Sequence, residues 1–304
     1  MNLYLLLFFV LWAVSWAAIF VDGGRTLPHA PGNRFSFFMG EVVTALMVLI
    51  LIWLSRHRKP IDHQSDLQIK QPLRETIGLL IYLILTVVII GPALGVRSHI
   101  ASAGLDERSS HAWSSQTVGS VTLWAGFYFC FVALIPFLFF KFGRGYTYKS
   151  LLLNFPEPKR WIPYALLTAV ISIGGFISPA YFKLPLWGHL LTFILFSLGT
   201  FIPVMILIQS LLAPRLAILT QSWISGAVLA GLTYGLYHSR EFYLEWDSVS
   251  QIVVSLAWIM QLAFFGVLKG VSTLRTGNAW IHIFNTHLPH LTEAHEVIRI
   301  FGSK

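Results

Sequence analysis

Charge is scarce in this chain, and cysteine is almost missing. Of 304 residues only 11% are charged, 13 of them acidic, and the one cysteine, Cys130, stands inside an apolar run. Soluble proteins carry about a quarter charged residues, so this chain lacks the surface that water would demand. A single cysteine excludes an intramolecular disulfide and any multi-cysteine zinc site. No Lys or Arg precedes the first apolar run. That argues for a retained first span over a cleaved secretory signal, although Ala13-Val-Ser-Trp-Ala17 loosely resembles a small-residue cleavage site. No HExxH stretch, internal repeat or low-complexity tract occurs.

In place of charge there is hydrocarbon: 56% of the residues are hydrophobic, and the mean hydropathy is +0.69. Nearly uncharged runs lie at about 1–20, 36–55, 76–96, 117–140, 161–180, 187–213, 222–238, 249–268 and 279–291, nine in all. Roughly 20 apolar residues in a helix cross ~30 Å of hydrocarbon. Lipid offers backbone amides no hydrogen bonds, so each run should be helical. The expected fold is therefore an all-α polytopic transmembrane bundle of about nine spans, with Pro92, Pro136, Pro163, Pro179 and Pro203 near helix ends or kinks. The polar stretch before Trp161 divides an N-terminal part of four spans (1–160) from a C-terminal part of five (161–304).

The net charge of +8 raises nucleic acid as a partner, but the positions of the basic residues answer otherwise. One set of alternating loops holds 13 Lys and Arg, among them Arg56, Arg74, Arg144, Arg215, Lys269 and Arg275; the other set holds 6. This bias predicts that the richer set and the N-terminus are cytoplasmic, in an inner or plasma membrane. Membrane orientation then accounts for the positive charge, and no nucleic-acid partner is needed. On this reading all 21 basic residues fall outside the nine runs. The loop from Ser55 to Glu75 is basic enough to lie against anionic headgroups, which makes the lipid bilayer the first partner.

Polar groups within apolar runs are the candidates for chemistry, because burying them in lipid costs free energy. Gln209 and Ser210 close the sixth run, and Tyr234 and His238 are four apart on one face of the seventh. His282, His287 and His290 crowd the ninth, with Asn285 among them. Taken alone, His238 before Ser239-Arg240-Glu241 reads as an interfacial histidine half in water, and the later histidines read as a polar helix end. Alternatively, neutral imidazoles at His238, His287 and His290 would offer three protein ligands and an open fourth position to a metal such as zinc. Glu41, the only acid well inside a run, reads as an interfacial carboxylate paired with Arg34 or solvated.

From about Trp161 to Leu291, 131 residues, the chain resembles the CAAX prenyl protease and bacteriocin-processing (CPBP, or Abi) family of intramembrane metalloproteases. Pro214-Arg215-Leu216 matches the Pro-Arg-Leu that trails the family's Glu-Glu-x-x-x-Arg motif. Tyr234 and His238 stand at the aromatic and histidine places of Phe-x-x-x-His, and Arg275-Thr276-Gly277 stands at the turn before the last core span. His287 falls at the second histidine, 49 positions after His238. The alternative of His282 with Asn285 gives a shorter gap. The resemblance implies peptide-bond hydrolysis with a glutamate base and a bound metal or an activated water.

The departures are as specific as the matches. With Pro214 aligned, Val204 and Met205 occupy the glutamate places, Gln209 the arginine place and Leu291 the asparagine place. Loss of a general base costs roughly 10²- to 10⁴-fold in rate. The first expectation is thus a pseudo-protease that keeps a cleft for a membrane-bound peptide or prenylated tail. The alternatives are an active metallopeptidase using His238 and His287, and a transporter or subunit of a membrane assembly.

Overall fold

The computed structural model describes residues 3–21, 34–56, 67–96, 116–155, 158–173, 181–239, 244, 246–284 and 294–302. In chain order the helices are α1 (Leu3–Val21), α2 (Arg34–Ser55), α3 (Pro72–Ala93), α4 (Val118–Gly143), α5 (Pro158–Ile173), α6 (Leu186–Leu219), α7 (Trp223–Tyr237), α8 (Val249–Thr276) and α9 (Ala294–Gly302). Short 3₁₀ turns lie at Tyr181–Lys183 and Ala279–Phe284, and no strand occurs among the described residues. Helices α1, α3, α4, α6 and α8 are each long and apolar enough to cross a membrane. The ninth apolar run opens as the six-residue turn Ala279–Phe284, and its remainder lies outside the described residues.

Start signals are local and follow ordinary capping chemistry. Thr117 accepts from the Ser120 amide while the Ser120 hydroxyl accepts from the Thr117 amide, a capping box at the head of α4. Ser222 and Ser248 cap α7 and α8 in the same way, each accepting at 3.3 Å from the amide three residues on. Gly277, at φ 68°, ends α8 in the left-handed region that glycine adopts without penalty, so the Arg275-Thr276-Gly277 turn is a helix stop.

Proline shapes the long spans in a regular way. The π-helical stretches Ile84–Ile90, Tyr128–Leu134, Ser197–Phe201 and Met205–Leu212 are each followed two residues later by Pro92, Pro136, Pro203 or Pro214. A proline ring clashes with the carbonyl one turn back and donates no hydrogen bond. Widening the preceding turn to i→i+5 relieves the clash and keeps the freed carbonyls bonded inside the protein, as lipid requires.

The centre of the C-terminal part is the antiparallel pair α7 and α8. Gly231 and Gly235 on α7 face Gly266 and Gly270 on α8 or their neighbours, two small-xxx-small patterns set against each other. A Cβ on Gly231 would lie 2.6 Å from the Val267 amide nitrogen, and one on Gly266 would lie 2.7 Å from the Gly231 Cα. Only glycine permits backbones so close, and in lipid such close packing is a main source of helix association. At α7's other end a Cβ on Gly226 would meet the Ala217 backbone of α6 at 2.6 Å.

The first helix packs on this pair, with Phe8 against Phe264 at 4.7 Å between ring centroids and Trp12 against the same ring at 5.4 Å. Trp124 of α4 packs where Gly199 of α6 leaves room, and α9 seats Ile298 over Gly188. One hydrophobic core therefore runs from Phe8 to Ile300 and draws on both parts of the chain.

Three of the basic residues counted as loop charges on sequence are buried within helices. Lys269 and Arg215 are fully buried on α8 and α6, and Arg275 is 8% exposed in the last turn of α8 with its guanidinium over the Trp223 ring. The apolar run predicted to stop at 268 continues as helix to Thr276, because protein neighbours shield the charges that end a run in a hydropathy reading. Without these three, the loop count stands at ten against six, and the bias keeps its sign.

Candidate functional site

The small-residue contact of α7 with α8 brings together two side chains from opposite helices. Tyr234 stands between Gly231 and Gly235, and Lys269 stands between Gly266 and Gly270. Lys269 Nζ donates to Tyr234 Oη at 2.8 Å and lies 4.0 Å from the centre of the Tyr234 ring. His238, the residue after α7, packs edge-on to that ring at 4.6 Å and to the Tyr237 ring at 5.2 Å. Its exposure is 2%, so the interfacial reading with the ring half in water is corrected: the Tyr234 and Tyr237 rings pack on it inside the protein. A lysine, a tyrosine and a histidine thus form one dry polar centre.

His282, also fully buried, follows α8 in the Ala279–Phe284 turn, and both it and His238 are within electrostatic reach of Lys269. Gln209 is fully buried in the π-helical stretch of α6 that packs against α7, α8 and this turn. Both atoms of its amide are without a hydrogen-bond partner among the described residues. Leaving such a group unbonded costs about 1–3 kcal/mol. Val204 and Met205, at the glutamate places, are buried in the core of α6.

No carboxylate joins this centre among the described residues, nor do three of His, Cys, Asp and Glu gather there at metal-binding spacing. The sequence-predicted His287, His290 and Asn285 lie outside the described residues, as do Glu241, Glu293 and the Glu41 side chain. The structure therefore joins Tyr234 and His238, adds His282 to their surroundings, and brings Gln209 to an adjoining helix. It also supplies Lys269, which sequence reasoning had spent on a loop; the signal that would have found it is the doubled Gly-x-x-x-Gly at 231–235 and 266–270.

A second polar centre lies where α3, α4 and α6 meet. Glu75 in the first turn of α3 is 7% exposed and is the buried acid of the described residues. Arg215 Nε donates to Glu75 Oε2 at 2.9 Å, and Arg144 Nη2 donates to Oε1 at 2.9 Å. Tyr146 Oη donates to Oε1 at 2.8 Å and accepts from the Lys70 amide at 2.9 Å. Arg215 also donates through Nη1 to the Leu211 carbonyl at 2.5 Å, and its guanidinium lies 4.4 Å from the centre of the Phe140 ring. The Pro-Arg-Leu arginine is thus held by a carboxylate 140 residues away, at the end of the loop that reads on sequence as lying against headgroups.

Around these centres the stretch Leu151–Leu153 is tied down carbonyl by carbonyl. Ser210 Oγ donates to Leu151, the Ala279 amide donates to Leu152 at 2.8 Å, and Trp280 Nε1 donates to Leu153 at 3.0 Å. Leu152 holds φ 55°, a left-handed conformation uncommon for a large side chain, and these three bonds hold it there. No protein-family model, curated protein or solved structure matches the chain.

Proposed function

We propose that the chain is a multi-pass membrane protein built on the plan of the CPBP family, in which a binding centre has replaced the protease chemistry. The observation that carries this reading is the Lys269 amine, 2.8 Å from Tyr234 Oη and beside His238. A protonated Lys269 would oppose a second cation here, which supports a centre without zinc: the amine would compete electrostatically with a metal for the space between Tyr234, His238 and His282. The glutamate places are filled by Val204 and Met205, which can neither ligate a metal nor take a proton. Among the described residues no carboxylate stands at this centre to serve hydrolysis as its base.

What this chemistry suits is recognition. The amide of Gln209 offers both a donor and an acceptor, and Lys269 with Tyr234 offers hydrogen-bond donors for a carbonyl or carboxylate within the membrane. The ligand class is a membrane-borne peptide, such as the end of a prenylated or otherwise lipidated tail. In this reading the chain has about nine spans, its N-terminus is cytoplasmic and its membrane is the inner or plasma membrane; the ten-to-six bias of basic loop residues supports that orientation.

The test uses the full chain in proteoliposomes with a photoactivatable prenylated peptide. The expected result is a crosslink to α7 or α8 with the peptide intact, lost in Gln209→Leu and in Lys269→Met. Cleavage that disappears in His238→Ala, and that in the parent is lost to a chelator and returns with added zinc, would instead establish the active metallopeptidase that uses His238 and His287.

A further inference from the structure

A cavity of about 440 Å³ opens between α3 and α4, away from the Tyr234 centre. Tyr82, Ile135 and Phe139 line its depth, Gly78 lines its α3 wall, and Arg74 and Arg144 stand at one end of it. The two arginines belong to the first turn of α3 and the residue after α4, the polar ends of two membrane-spanning helices. Arg74 to Tyr82 is eight residues of helix, about 12 Å, close to the depth of one leaflet's hydrocarbon. The cavity is therefore basic where the spans end and apolar where they run through the bilayer.

From this arrangement we infer that the α3–α4 cavity is a binding site for an anionic phospholipid, with an acyl chain along Tyr82 and Phe139 and the phosphate between Arg74 and Arg144. Charge complementarity selects this occupant. Two arginines, Arg74 and Arg144, line the cavity with a single carboxylate, and both oxygens of Glu75 are already engaged by Arg144, Arg215 and Tyr146. Arg74 is exposed and has no ion pair among the described residues. The α3 end of the cavity thus keeps net positive charge at headgroup level, where anionic lipid is attracted. A zwitterionic headgroup would meet the same arginines with a cation of its own. Gly78 keeps the groove open: a Cβ added there meets nothing within 4 Å, so the groove runs alongside α3.

The test exchanges the purified full chain against an equimolar mixture of phosphatidylglycerol and phosphatidylcholine, and quantifies the lipid retained in mild detergent by mass spectrometry. Phosphatidylglycerol should be retained over phosphatidylcholine, with the preference falling about fivefold in Arg74→Gln and surviving in Arg74→Lys. Gly78→Leu, which fills open space with a better helix former, should fold normally and lose retention of both lipids. Equal retention of the two lipids, unchanged retention in Gly78→Leu, or full displacement of phosphatidylglycerol by inorganic phosphate would each overturn the site; the last would mean that an anion alone is recognised.

Discussion

Glu75 and Arg215, 140 positions apart, meet at 2.9 Å inside the protein, the carboxylate 5% exposed along its side chain and the arginine fully buried. This pair joins the N-terminal helices to the helix that carries the Pro-Arg-Leu stretch. Removing one partner leaves a buried charge unmatched, which costs about 3–5 kcal/mol. Glu75→Gln and Arg215→Met should each lower the melting temperature in detergent strongly, and the double variant should recover part of the loss. Single variants that melt like the parent would remove the pair from any structural role.

The Tyr146 phenol sits on the same carboxylate and is pushed above its ordinary value of 10.0, first by burial and further by Glu75. The folded protein therefore holds this proton at a pH where the unfolded chain has released it. Its contribution is fully present below pH 10 and is lost as pH rises through the folded value. The stability gap between the parent and Tyr146→Phe should narrow above that pH in alkaline melts. Parallel curves through the window would refute the linkage.

The bond from Lys269 to Tyr234 is shielded from water on both sides. A double-mutant cycle of Lys269→Met with Tyr234→Phe should give a coupling of about 0.5–1.5 kcal/mol. Strict additivity would mean that the two side chains are neighbours without being partners.

Close backbone approach, rather than glycine content, decides which glycines matter. Gly231→Ala drives a methyl to 2.6 Å from the Val267 amide and should cost about 1–3 kcal/mol. Gly126→Ala on α4 meets nothing within 4 Å and should be neutral or stabilise by up to ~1 kcal/mol, since glycine is the poorer helix former. Thermal melts of the two variants, measured side by side, check the contrast; equal effects would contradict the packing of α7 on α8.

Much of the fold was legible in the chain because its signals are local. Apolar runs located α1, α3, α4 and α6, and the Arg275-Thr276-Gly277 turn marked the end of α8. The site was legible in part. Tyr234 and His238 lie on one turn of one helix, so spacing alone put them together. Lys269 was not legible, because a charge in an apolar stretch looks like the end of a span until a partner from another helix is known. Glu75 was hidden for the same reason, as its partners come from the end of α4 (Arg144) and from α6 (Arg215).

By itself, then, the sequence determined that this chain is helical and belongs in lipid, since composition and run length act through solvation of each segment separately. Tertiary structure alone decided which polar groups are buried together. Gly231 and Gly266 let two backbones meet and so deliver Lys269 to Tyr234, while α3, α4 and α6 converge to shield Glu75 with three donors. The physical reason is that desolvation and pairing depend on neighbours distant in the chain. A hydropathy run reports what a residue's own segment prefers, not what the other helices will provide.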